Sequence, residues 1–268
     1  MNKLEKHFIK LDNYTKRLEN RSMKNITKGF KADLRAIKNI LNDIYAEYEE
    51  NGIVNLYEFE KYNRMTKLDV EIVRIINNRY KDIISETDGL LYNITNDNIK
   101  GILDIKEFAG IKLSIDVASI VNERTKGYNW ADRYDKHRSD TIYKVQGAIK
   151  EGLDEGQTYH QVAKRLTREL AISIDDADRI VRTESHRCVN RAKLESLEEI
   201  NREVPVNKKW ITNLDGRERE LHAELNGQVV AADDTFKISG YEAEAPGGFG
   251  VAHMDINCRC LMVIELNL

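Results

Sequence analysis

Residues 258–266 read Cys258-Arg259-Cys260-Leu261-Met262-Val263-Ile264-Glu265-Leu266. Side chains of an extended segment alternate between its two faces, so Cys258, Cys260, Met262 and Ile264 fall on one side and Arg259, Leu261 and Val263 on the other. That spacing predicts a strand. Upstream, Lys208-Lys209-Trp210-Ile211-Thr212 has the same β-rich character and predicts a second strand, with Trp210 as the anchor of a small core. Asp215-Gly216 and Asn226-Gly227 suit turns, because Asp and Asn side chains accept backbone donors and Gly tolerates positive φ. A charged helical turn is expected from Gly216 to Leu225, an extended piece at Gln228 to Val230, and a loop from Gly240 to Gly250. Together these make residues 205–268 a small α+β module with short antiparallel strands.

The chain before this module reads differently. Both prolines, Pro205 and Pro246, lie at or after residue 205, and the proline-free stretch before them is compatible with helix after helix. Ile26, Phe30, Leu34, Ile37, Leu41, Ile44 and Tyr48 step by threes and fours along one helical stripe, and Gly52 ends it. A second helix is expected around Leu68, Ile72, Ile76 and Ile83, followed by a less regular section containing Gly89, Gly101 and Gly110. Ser114 is placed to cap a short helix through Val117 and Val121. Ser139 is placed to cap one that turns Ile142, Val145, Ile149 and Leu153 inward and stops at Gly156. Thr158 and Gln161 form a capping box for a helix burying Val162, Leu166 and Leu170, and a last long helix is expected from about Asp175 to about Ile200. The fold class is therefore mainly α with a C-terminal α+β module. A helical region, 1–204, precedes the module, 205–268, which packs with helix 175–200.

Composition narrows the function. Hydrophobic residues at 41% beside charged residues at 32% describe a globular chain rich in solvated helix. Residues 1–204 carry 36 Lys and Arg against 35 acids, and residues 205–268 carry 6 against 10, giving a net charge of −3. Such a balance does not announce a nucleic-acid binder. Weak DNA contact would have to come from a local patch such as Arg179, Arg182, Arg187, Arg191 and Lys193. No apolar run is long enough to span a bilayer, and the N-terminus lacks the apolar core of a signal peptide, so no membrane partner is expected and synthesis is in the cytoplasm.

Two clusters carry chemistry. Cys258 and Cys260 project to one face of their strand, and His222 and His253 are candidates for the third and fourth ligands of a tetrahedral zinc. The alternative is that the two thiols pack as small apolar groups against Met262 and Ile264, with no cofactor at all. A zinc hydrolase on the same ligands would draw its base from Glu224 or Asp255. In the second cluster, Arg182-Thr183-Glu184 with His186 lies within a helix. No serine or cysteine elbow or phosphate loop accompanies it, so it reads as a polar lock or docking point and not a catalytic set.

The ordered run of Arg182, Thr183 and Glu184, then Trp210, Asp215, Arg217, His222, Asn226 and Gly227, then Asn257, Cys258, Arg259 and Cys260 resembles the phage head morphogenesis family named after protein F of phage Mu, over about residues 175–265. The resemblance implies a structural, non-enzymatic minor head protein of a tailed bacteriophage, made in the host cytoplasm and resident in the virion, inside the capsid or at the portal vertex. It implies the portal protein as partner, with scaffold or major capsid protein as further candidates, and a role in head morphogenesis, DNA ejection or both. The competing readings are the zinc hydrolase and a DNA-binding ejection protein. Some members carry a toxin domain after this module; with Leu268 two residues past the strand, none is expected here.

Overall fold

The computed structural model describes residues 2–125 and 127–267. It is mainly helical, with short antiparallel strands in the C-terminal module and one small pair after the first helix. Helix α1 spans Lys3–Tyr48 and opens with a reciprocal cap: Glu5 N–H donates to Asn2 Oδ1 (2.8 Å) and Asn2 N–H donates to Glu5 Oε2 (2.9 Å). The paired strands β1 (Glu49–Glu50) and β2 (Ile53–Val54) follow, then α2 (Leu56–Glu60) and α3 (Arg64–Leu103). The irregular section expected around Gly89 and Gly101 is instead the second half of α3. At Gly101 a Cβ would stand 2.4 Å from Leu11 Cδ2, so here glycine permits close packing and does not break the helix.

Helix α4 (Val117–Asn122) is capped by Asp116, whose carboxylate accepts from Ser119 N–H, and not by Ser114. Helix α5 (Trp130–Asp154) begins well before Ser139, which sits inside it and donates to the Asp135 carbonyl. Gly156 adopts φ +61° after it, as a terminator should. Thr158 N–H donates to Gln161 Oε1 (2.8 Å), the expected capping box, and α6 then runs unbroken over Tyr159–Asn201. Two helices were expected there. Ser173, at the expected break, is fully buried, and its hydroxyl is bonded to the Glu169 carbonyl and to Thr141 Oγ1, so packing carries the helix through the β-branched residues Ile172 and Ile174.

The module contains β3 (Val206–Ile211), α7 (Glu220–Glu224), β4 (Val229–Ala231), β5 (Phe236–Ile238), β6 (Tyr241–Ala243), α8 (Ala252–Asp255) and β7 (Leu261–Leu266). Strand β3 is central in an antiparallel sheet of order β4-β3-β7, with Trp210 opposite Met262 and Lys208 opposite Ile264. The strand expected from Cys258 starts at Leu261; Cys258 lies on a tight turn whose N–H reaches the Asp255 carbonyl.

The chain divides into two compact units, and the division does not follow the compositional step at residue 205, because α1, α3 and α6 each contribute to both. One unit, residues 23–86 and 131–180, is a helical core of Ile26, Phe30, Ile37, Leu41, Ile72, Ile76 and their neighbours. The other comprises the described residues of 1–22, 87–130 and 181–268. In it the two faces of the final strand serve separate cores: Cys258, Cys260 and Met262 join Trp210, Leu194 and Phe236, while Leu261 and Val263 join Phe8, Ile102, Phe108 and Leu197. Ile264 belongs to the second group, not beside the sulfurs.

Candidate functional site

The spaced residues of the second unit converge on the C-terminal half of α6 and the chain entering β7. Along α6, Thr183, His186 and Asn190 meet that chain in turn. Asn257 N–H donates to Thr183 Oγ1 (3.2 Å), His186 Nε2 lies against the Cys260 carbonyl, and Met262 N–H donates to Asn190 Oδ1 (3.0 Å). Burial pushes the His186 pKa down, which favours a neutral ring with its proton directed at that carbonyl. Gly247 approaches the same ring so closely that a Cβ there would stand 2.9 Å from His186 Nδ1.

Glu184 and Arg187 form the buried part of this helix. Arg187 Nε donates to Glu184 Oε2 (2.8 Å) and Nη1 to Glu123 Oε2 (2.7 Å), and its remaining donors reach the carbonyls of Ile120 and Val121. The guanidinium thereby fastens α4 to α6. Lys193 is fully buried, with Nζ 5.7 Å from the centre of the Phe8 ring. With Arg187 and Lys193 both inside, the five cations proposed as a DNA-contacting patch do not form one.

Trp210 is fully buried and donates through Nε1 to Thr212 Oγ1. The Asn226-Gly227 turn closes onto the same strand: Thr212 N–H donates to Asn226 Oδ1 (2.9 Å), and Gly227 N–H, at φ +86°, donates to the Trp210 carbonyl (2.8 Å). Asp215 accepts from Arg217 across its turn, and a second arginine joins it. Arg259 is bidentate on the carboxylate, at 2.6 and 2.8 Å, and the two guanidiniums, Arg259 foremost, hold Asp215 well below the usual carboxylate range. Arg182, Arg217 and Arg259, with His186, Asp12 and Lys16, line a cavity of about 250 Å³ in this unit.

His222, Cys258 and Cys260 come together, all buried, with their ligating atoms within 4.8 Å of one another. His222 Nδ1 stands 3.6 Å from Cys258 Sγ and 3.3 Å from Cys260 Sγ. Its ring is held at right angles to Trp210 (centroids 5.9 Å) and tilted against Phe249 (6.0 Å). The two thiols shift in opposite directions: Cys258 as donor, then the His222 ring and the Thr212 hydroxyl, bring Cys260 down, while burial pushes Cys258 up. The fourth expected ligand is elsewhere. His253 is exposed and packs on Tyr241 (5.4 Å), Glu224 is exposed, and the Asp255 carboxylate accepts from Phe249 and Val251 N–H at the start of α8.

Sequence reasoning missed Asn190, Thr212 and Phe249. Asn190 had a signal, since it continues the four-residue step from Arg182 to His186. Thr212 and Phe249 had none beyond their nearness to named positions.

The spaced Arg-Thr-Glu, Trp, His and Asn-Cys-Arg-Cys elements are thus brought together in one compact unit. Residues 143–263 match the family described as Phage Mu protein F like protein. It is 29% identical over 265 residues to minor head protein GP7 of Bacillus phage SPP1, covering 96% of this chain and 86% of that one. It is also 35% identical over 149 residues to NAD(+)--arginine ADP-ribosyltransferase EFV of Enterococcus faecalis (strain ATCC 700802 / V583), covering 55% of this chain and 30% of that protein. No solved structure gives a significant match.

Proposed function

We propose that this chain is a structural, non-enzymatic component of the virion that associates with the portal and acts in head morphogenesis, DNA ejection or both. The observation carrying this reading is the extent of likeness to the SPP1 minor head protein, which runs through both compact units and not through the module alone. The polar residues of the site support it: Thr183, His186, Asn190 and Arg187 spend their hydrogen bonds on neighbouring backbone and carboxylates, which is the work of a scaffold. The likeness to the ADP-ribosyltransferase covers under a third of that protein, and we assign its named activity to the part outside the shared stretch. The location is the capsid interior or the portal vertex.

Co-expression with the portal protein of the same phage tests this reading. The expected result is co-purification of the two through size exclusion, and the chain in purified virions by mass spectrometry. Separate elution together with virions lacking the chain would refute it. ADP-ribosylation of an arginine substrate by the purified chain would refute the non-enzymatic part.

A further inference from the structure

We infer that His222, Cys258 and Cys260 form a zinc site that ties α7 to the chain entering β7, with a water molecule as fourth ligand. Two sulfurs and one imidazole nitrogen are the donors that select zinc among the common divalent ions. With metal–sulfur bonds of about 2.3 Å and metal–nitrogen bonds of about 2.0 Å, a tetrahedral site separates sulfur from nitrogen by roughly 3.5 Å. The separations of 3.6 and 3.3 Å at His222 Nδ1 bracket that edge.

Thiol packing alone accounts poorly for the geometry. Two sulfurs converge on one imidazole nitrogen, at 3.6 and 3.3 Å, so the three donors face a common point. The other ring nitrogen, Nε2, is buried with no hydrogen-bond partner among the described residues, so the ring is held inside at a cost that a metal bond at Nδ1 would offset. Trp210 and Phe249 fix the ring plane, which aims Nδ1 at the sulfurs before any ion arrives. A cavity of about 20 Å³ borders His222 and Cys260, beside Thr212 and Asn257, and that is room for one water. Thr212 is not the fourth ligand, because its hydroxyl already donates to the His222 carbonyl and accepts from Trp210. His253, exposed on Tyr241, is not a ligand either.

The test uses the full chain purified under reducing conditions. Zinc by plasma mass spectrometry is expected at about one per chain, retained in His253→Ala and lost in His222→Ala and Cys258→Ser. Because those variants change a core, the wild-type chain gives a second reading. Stripped of zinc and titrated with Co2+, it should develop the near-ultraviolet sulfur-to-cobalt band together with the visible bands of a tetrahedral ion. A wild-type chain with free thiols that takes up neither metal would overturn the assignment, and so would loss of zinc from His253→Ala equal to that from His222→Ala.

Discussion

The two compact units are stabilised by different means. In residues 23–86 and 131–180 apolar stripes meet, and the buried polar groups are few: Asp33, paired with Arg79, and one short chain in which the Tyr80 hydroxyl joins His137 Nδ1 (3.0 Å) and Thr141 Oγ1 (2.8 Å), with Ser173 beyond. The other unit buries Glu184, Arg187, Asn190, Lys193, Lys208, His222 and the thiols of Cys258 and Cys260. Apolar burial is non-directional and tolerates exchange of like for like, whereas each buried polar group needs its own partner in place. The second unit therefore fixes which segments meet, at the cost of fragility towards single substitutions.

The largest expected effect is at the anchor of that unit. Trp210→Ala should lose about 3–5 kcal/mol in chemical denaturation, since a fully buried indole and its packing on Phe236 and His222 disappear together. Next is Glu184→Ala, which leaves Arg187 buried with fewer partners and should cost about 3 kcal/mol. A loss below 1 kcal/mol would show that Glu123 suffices. In the helical unit Tyr80→Phe should cost about 1–2 kcal/mol, because it removes one hydroxyl from the polar chain and leaves the ring packed. A larger loss there than at Glu184 would erase the contrast between the units.

The smallest effect concerns pH. Burial lowers the Lys193 pKa to about 8 from its ordinary 10.5, with Asp12 opposing the shift and Lys16 adding to it. Between those two values the unfolded chain binds more protons than the folded one, so stability rises with pH through that window, by no more than about 1 kcal/mol over the first unit. Lys193→Met should be more stable than the wild type near neutrality, and the gap should narrow as pH climbs above 8. Parallel curves would show that Lys193 keeps its proton inside the fold as readily as in the unfolded chain.

Much of this was legible in the sequence because the signals are local. Gly156, the Thr158 and Gln161 box, the stripe from Ile26 to Tyr48 and the two turns at Asp215 and Asn226 each follow from residues within a few positions of one another. The continuity of α3 and α6 was not legible, since it depends on what packs against Gly101 and Ser173 from distant parts of the chain. At the site, the strand alternation brought Cys258 and Cys260 to one core with Trp210, while the choice between His222 and His253 needed the fold. The bidentate pairing of Arg259 with Asp215, 44 residues apart, had no sequence signal, and neither did the role of Arg187 in fastening α4.

The central physical claim is that the first helix and the last strand belong to one cooperative unit: Phe8 shares a core with Ile264, and Lys209 Nζ bonds Glu5 at 2.6 Å. Native-state hydrogen exchange read by mass spectrometry tests it directly. Amides of residues 6–22 should open with the same free energy as those of β3 and β7, and Ile264→Ala should lower both together. Fast exchange of residues 6–22 while the strands stay protected would contradict it.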